Sequence, residues 1–381
     1  MNYIKAIQIT HNQEYRVTDL PRPAVGAGEV LLKVQYVGFC GSDINTFMGR
    51  NSMALNPVIP GHEVGAVIEA VGPGVPDSLK PGMVVTCNPY TNCGRCASCR
   101  NRRVNACQYN ETLGVQRDGA MREYIALPWQ KIIPAGSLSA KTCALIEPMS
   151  VGFHAVSRAE VTDNDVVMVI GCGMVGLGAI VRASLRGATV IAADIDDDKL
   201  ALAREMGAKY VVNTRQQTTD DGQQTTDNGK QTTDDGQQST DNGQQSTDNG
   251  QPSTDDGQNT VVNRKWLNGK CIDVVIEAVG SVPTYQMAIE EVGFTGRVVC
   301  IGYAKSEVPL PTRLIVQKEL DVRGSRNALP EDFHAVIRYL ERGTCPTDRL
   351  ITRIIRPEEG LETLKWWSQN PGKVFRILME M

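Results

Sequence analysis

Four cysteines crowd the stretch "CGRCASCRNRRVNAC": Cys93, Cys96 and Cys99 stand three apart, and seven residues separate Cys99 from Cys107. Thiolates at that spacing can close tetrahedrally around one Zn²⁺ with no position left open, which marks a structural metal rather than a catalytic one. Four free thiols on an arginine-rich loop are the competing reading, and nothing in the stretch asks for them.

A second set of donors is dispersed along the chain. Cys40 lies in "GFCGSD", His62 and Glu63 in "PGHEVG", and Glu147 in "ALIEPMS". One thiolate, one imidazole and one or two carboxylates suit a zinc ion that keeps a position open for water or substrate. Spacing alone leaves open that His62 and Glu63 are ordinary, satisfied polar residues.

The third constellation is "GCGMVGLG", in which Gly171, Gly173 and Gly176 fall in GxGxxG order around Met174 and Val175. It follows the strand-like "VVMVI", opens a helix-like run and is answered by Asp194, 18 residues after Gly176. That context fits a dinucleotide site. Gly171 permits a tight turn, Gly173 a close approach to a pyrophosphate, and Gly176 close packing of helix on strand. Phosphates would meet the free amides of the helix N-terminus. Asp194 would bind the ribose hydroxyls and repel a 2′-phosphate, which favours NAD over NADP.

The elements that must carry these residues divide in two. From about residue 4 to 126 the pattern is strand-like, with "EVLLKVQYVG" alternating and Gly or Pro punctuating every few residues. From Asp165 it becomes βαβ: buried runs at "DVVMVIG", "ATVIAAD", "YVVN", "IDVVIEAVG", "RVVCIGY" and "LDVRGS" are separated mostly by helix-like spacers. Between "YVVN" and "IDVVIEAVG" stand six seven-residue units, residues 216–257, without an aliphatic or aromatic side chain. Such a segment cannot bury enough surface to offset its ordering entropy, so it reads as a disordered insertion. Calcium-binding turns are the sharper alternative, but the oxygen-ligand spacing of a calcium loop is absent. Lengthening a loop this much costs only about 2 kcal/mol of closure entropy, which a fold can tolerate.

The formal charge of −4 is local: the repeat holds nine Asp and one Lys, contributing −8 and leaving +4 for the remainder. No basic excess or arginine-rich stripe points to nucleic acid. No apolar run is long enough to span a membrane, and the first twenty residues lack a signal-peptide pattern, so a cytoplasmic location is expected.

Taken together, these residues resemble the zinc-dependent medium-chain dehydrogenase/reductase family. "GHEVGAVIEAVG" is similar to its zinc signature, and the four-cysteine lobe and the GxGxxG unit occupy the family's places. "CGSD" together with "LIEP" looks more like the polyol, threonine and sugar-acid dehydrogenases than like the ethanol-oxidising branch, and "GSRNALPEDF" is similar to the equivalent stretch in bacterial dehydrogenases of sugar acids.

The resemblance implies an α/β fold. A GroES-like catalytic domain (1–150 and 326–381) would surround a doubly wound Rossmann domain (151–325) that carries the repeat. It implies two zinc ions, one structural on the lobe and one catalytic on Cys40, His62 and Glu147, with Glu63 as a ligand that exchanges with water. Ser42 would accept the substrate proton, yet Asn45 stands where many relatives carry a proton-relaying histidine, so proton exit would run through water beside Glu63 or Glu147. Ala278, Val279 and Gly280 of "EAVG" and Ile301 and Gly302 of "CIGY" would border the nicotinamide, and Arg326 and Asn327 the substrate. The implied reaction is hydride transfer from a secondary hydroxyl of a small-molecule polyol or sugar acid to NAD, in a homodimer or homotetramer. A threonine dehydrogenase is the alternative enzyme; a zinc- and nucleotide-binding module whose repeat recruits a partner is the alternative of another class.

Overall fold

The computed structural model describes residues 3–215, 267 and 269–381. The repeat lies outside them, and with it the expectations of disorder and of partner recruitment.

The chain begins with a two-stranded antiparallel unit, β1 (Tyr3–Ile9) and β2 (Tyr15–Pro21). Next come β3 (Glu29–Phe39), β4 (Glu63–Val71), β5 (Val84–Cys87), β6 (Tyr124–Pro128) and β7 (Ile132–Pro134). These join in a largely antiparallel sheet around β3. The expected alternation in β3 is interrupted, since Val30, Leu31 and Leu32 are all buried in succession. The reason is its central place: β4 lies along one edge, while the other edge is shared, its first half by β6 and its second by a strand from the far end of the chain.

The second sheet is parallel, formed by β8 (Val166–Ile170), β9 (Thr189–Asp194), β10 (Tyr210–Asn213), β11 (Ile272–Glu277), β12 (Val292–Cys300) and β13 (Asp321–Gly324). Its order is β10-β9-β8-β11-β12-β13, so the strands run outward in both directions from the junction of β8 with β11. A ligand crevice opens beyond the carboxyl ends of strands at such a switch point. The chain then returns: β14 (Arg353–Ile355) pairs with β15 (Ile377–Glu380), and β15 lies antiparallel to the end of β3. Both layers expected from the sequence are therefore present, a β-rich one and a doubly wound one.

The parallel sheet is fully apolar where strands are covered on both faces, as in β8, whose five residues are all buried. One face packs on the helices Ile146–Arg158, Met174–Leu185 and Pro330–Leu340 through Phe153, Leu177 and Phe333. The first two helices approach backbone to backbone at Gly152, where a Cβ would lie 2.1 Å from the Val175 carbonyl oxygen and 2.5 Å from the Ala179 nitrogen. Gly152→Ala is expected to force them apart and cost about 1–3 kcal/mol, read as a lower urea midpoint at unchanged m-value.

Candidate active site and metal-binding clusters

Cys40 caps the short helix Gly41–Phe47 directly after β3, while His62 and Glu63 open β4. The antiparallel register sets Gly38 opposite Glu63, so the end of one strand delivers the thiol to the start of the other. The donor atoms of Cys40, His62 and Glu63 all lie within 4.8 Å of one another. His62 and Glu63 are buried, Glu63 completely. Burial opposes an imidazolium at His62, but the Cys40 thiolate beside it prevails and holds the ring's pKa well above its ordinary value. Burial likewise pushes the Glu63 carboxyl up, opposed by Arg376.

Arg376 precedes β15 and reaches into this cluster. Its Nη1 donates to the Phe39 carbonyl at 2.6 Å and pairs with the Glu63 carboxylate at 3.0 Å, with both side chains almost wholly buried. Asp43 accepts a hydrogen bond from the Cys40 amide at 2.8 Å and is itself buried. The Ser42 hydroxyl, the Nδ1 of His62 and one oxygen of Asp43 are buried without hydrogen-bond partners among the described residues. Buried polar atoms left in this state mark a site that expects a further group. A thiolate, an imidazole and a carboxylate within mutual reach fit Zn²⁺ with one position open.

Glu147 lies near enough to act on the charges of His62 and Glu63 without joining the three donors within 4.8 Å of one another. It lies in the first turn of the helix Ile146–Arg158, and its carboxylate accepts a hydrogen bond from the Tyr90 hydroxyl. Burial and the carboxylate itself raise the Tyr90 phenol well above its ordinary value, so it stays a donor. The sequence reading put Glu147 at the metal and Glu63 in exchange; the geometry sets Glu63 among the donors and Glu147 on Tyr90.

The four lobe cysteines also converge within 4.8 Å. Sγ–Sγ separations of 3.5 Å (Cys96–Cys99) and 3.8 Å (Cys96–Cys107) approach the edge of about 3.8 Å of a tetrahedron with Zn–S bonds near 2.3 Å. The amides of Cys93 and Tyr109 point at the Cys107 sulfur at 3.3 Å. The Ser98 hydroxyl and backbone amides bring the Cys96 thiol down to about 5, ready to ligate as thiolate. These residues fit a closed zinc site.

At the switch point, Gly171 adopts φ +95°, and a Cβ on Gly176 would lie 1.8 Å from the Gly171 carbonyl oxygen, so neither admits a larger residue. Gly173 caps the helix Met174–Leu185, and a Cβ there would meet nothing within 4 Å. Met174 is buried beneath the turn, and Val175 is half-buried. Asp194 ends β9 and accepts from the Cys172 amide at 2.7 Å and from those of Ile195 and Asp196. Ala278, Val279 and Gly280 leave the end of β11, and Ile301 and Gly302 the end of β12, on the same edge of the sheet. Glu277 fixes the first of these turns: its buried carboxylate accepts from the amides of Val279 (2.9 Å) and Gly280 (2.7 Å) and from the Thr284 hydroxyl (2.8 Å).

Arg326 and Asn327 follow β13 and are half-buried. No ion pair among the described residues engages the Arg326 guanidinium. Asn327 instead spends its side-chain amide on the Asn105 carbonyl at 2.9 Å.

Sequence reading missed Arg376, Tyr90, Asp43 and Glu277. Asp43 and Glu277 stood inside quoted motifs. Arg376, beside the apolar run "ILM", offered only the oddity of a charge entering a strand.

Comparison with known proteins agrees with this architecture. Residues 26–137 match the alcohol dehydrogenase GroES-like domain, and residues 175–342 match zinc-binding dehydrogenase. The chain is 31% identical to the sorbitol dehydrogenase of Bacillus subtilis 168 over 99% of its length and 97% of the relative's. It is 30% identical to the L-galactonate-5-dehydrogenase of Escherichia coli K12, covering 87% and 85%. A zinc-binding dehydrogenase of Sinorhizobium meliloti 1021, solved with NADP, superposes with a TM-score of 0.80 at 26% identity, covering all of both chains. Among the described residues no helix is long and apolar enough to cross a membrane. The chain belongs to the zinc-dependent medium-chain alcohol dehydrogenase family and resembles its polyol and sugar-acid branch.

Proposed function

We propose that this enzyme oxidises a secondary hydroxyl of a hexonate or a polyol with NAD, using one zinc ion at Cys40, His62 and Glu63 and a second on the cysteine lobe. The observation that carries this is the donor cluster at the β3–β4 junction, with the Ser42 hydroxyl, buried and unpartnered among the described residues, two residues beyond the thiolate. When bound, Zn²⁺ supplies Lewis acidity, which can bring the pKa of water from 15.7 to about 7, and NAD supplies the hydride acceptor.

The chain's own residues do the rest. Ser42, whose hydroxyl has no competing partner among the described residues, relays the substrate proton, accepting it as its own hydroxyl proton passes to water beside Glu63 or Glu147. The Tyr90 hydroxyl orients Glu147 near the site, and Arg376 pairs with Glu63, opposing the upward push of burial on its carboxyl. Glu277 holds the turn that borders the nicotinamide. Arg326, free of ion pairs among the described residues, suits bidentate recognition of a carboxylate, the group that distinguishes a hexonate from its polyol. The sorbitol and L-galactonate dehydrogenases among its relatives support this substrate class.

For the cofactor, Asp194 is followed by Asp196, Asp197 and Asp198. Four carboxylates at the ribose end oppose a 2′-phosphate, in contrast to the NADP carried by the Sinorhizobium relative.

The deciding experiment is NADH formation against hexonates, the matching polyols and threonine. Turnover on hexonates, with KM raised in Arg326→Ala and kcat little changed, supports the sugar-acid reading; turnover on threonine alone overturns it. Asp194→Ala is expected to reduce the preference for NAD over NADP by about tenfold, as removal of one charge repulsion of roughly 1.4 kcal/mol would, measured as the ratio of kcat/KM values. Metal analysis separates the two clusters: Cys40→Ser should lose one zinc and all turnover with the fold intact, whereas Cys93→Ser should lose the other zinc and lower the unfolding midpoint.

A further inference from the structure

His154 takes no part in the chemistry proposed above, yet it is buried, as are its partners Asp332 and Asn105, each only 4% exposed. Its Nδ1 lies 2.8 Å from the Asp332 carboxylate, which also accepts from the Leu329 amide at 3.0 Å and so begins the helix Pro330–Leu340. A carboxylate can only accept here, so Nδ1 carries the ring proton. In the neutral ring Nε2 is then an acceptor, and it meets Nδ2 of Asn105 at 2.9 Å. The second hydrogen of that amide goes to the Arg326 carbonyl at 2.7 Å. Turning the amide over would set oxygen against both the Arg326 carbonyl and the lone pair of His154, so its orientation is forced. Asn327 completes the circuit. It sits at φ +55°, where asparagine is the favoured residue after glycine, and its amide donates to the Asn105 backbone carbonyl at 2.9 Å.

Residues 326–332 therefore form an arch clamped at both feet: Asp332 on His154, and Arg326 with Asn327 on Asn105. Asn105 belongs to the cysteine lobe, between Cys99 and Cys107. We propose that Asn105, oriented by His154, is a positioning residue that fixes the Arg326 loop to the cysteine lobe and thereby sets substrate affinity. The affinity half of this rests on the reading of Arg326 as a substrate contact; the clamping half does not.

The test uses the full-length zinc-loaded enzyme. Trypsin cuts after arginine, so the Arg326–Asn327 bond reports on the loop directly, by mass spectrometry of the folded protein. Asn105→Ala removes two side-chain hydrogen bonds and is expected to speed cleavage at that bond about tenfold. Cleavage after Arg342, on a separate turn, should be unchanged. Asn327→Gly keeps the positive φ, loses one bond from outside the lobe and should act in the same direction. KM should rise in Asn105→Ala with kcat nearly constant, and the Asn105→Ala/Arg326→Ala double variant should be no worse than Arg326→Ala alone. Wild-type cleavage rates in both Asn105→Ala and Asn327→Gly would overturn the clamp. Faster cleavage with unchanged KM in Asn105→Ala and a raised KM in Arg326→Ala would overturn its link to affinity. An unchanged KM in Arg326→Ala would instead remove Arg326 from the substrate site, leaving the cleavage result to decide the clamp by itself.

Discussion

The structure is organised around charge kept away from water. Cys40, His62, Glu63, Asp43, Glu147 and Arg376 occupy one buried neighbourhood, and an uncompensated ion there would cost several kcal/mol. Among these, Glu63 and Arg376 are compensated from distant parts of the chain. Glu63 at the start of β4 meets Arg376 from just before β15, and Arg376 in turn bonds Phe39 at the end of β3. Three strands distant in sequence are thus tied at one point, which explains why the chain must come back to the first sheet after completing the second. The C-terminal strand is part of the site's electrostatics as well as of the sheet. Removing either partner of the pair would leave the other buried and alone, so the two positions depend on each other more than on their sheet neighbours.

Local backbone demands made much of this legible from sequence. The glycine turn after β8 is announced by three glycines, two of which the structure requires for steric reasons, and the cysteine lobe by a spacing that closes on itself. The central parallel strands, such as β8, were visible because they are apolar on both faces. Pairings across long separations were not visible. Nothing at position 376 points to position 63, and nothing in "NPY" points to Glu147. The contact between Tyr90 and Glu147 was hidden for the same reason: the approach of the phenol is a product of tertiary packing. Asn327 likewise carries two signals, a backbone one and a side-chain one, and only the fold shows that both are used on the lobe.

The place of the repeat follows from the sheet. It begins three residues after Asn213, the end of β10, and among the described residues β10 is an edge strand paired with β9 alone. The next described strand, β11, lies on the far side of β8. Since β10 and β11 are not neighbours in the sheet, residues added between them in sequence separate no described strand pair, and the closure entropy grows only with the logarithm of length. The same addition between β8 and the helix Met174–Leu185 would fall within the glycine turn, where Gly171 and Gly176 are in contact and no residue can be spared.

One helix links the separate functions. Ile146–Arg158 carries Glu147 in its first turn, Gly152 in its middle and His154 half a turn further on. Glu147 faces Tyr90 and the donor cluster, Gly152 allows the helix to lie against the one that follows the nucleotide turn, and His154 holds Asp332 and Asn105. Along about 10 Å of helix, at 1.5 Å per residue, the metal cluster, the nucleotide turn and the Arg326 loop are set to a common reference. Helical spacing fixes the relative positions of 147, 152 and 154 more rigidly than any loop could, because a close-packed interior leaves the helix no room to slide. Hydride transfer between a substrate oriented by one sheet and a cofactor oriented by another needs such a shared reference, since small misplacements of the reacting atoms are costly in rate.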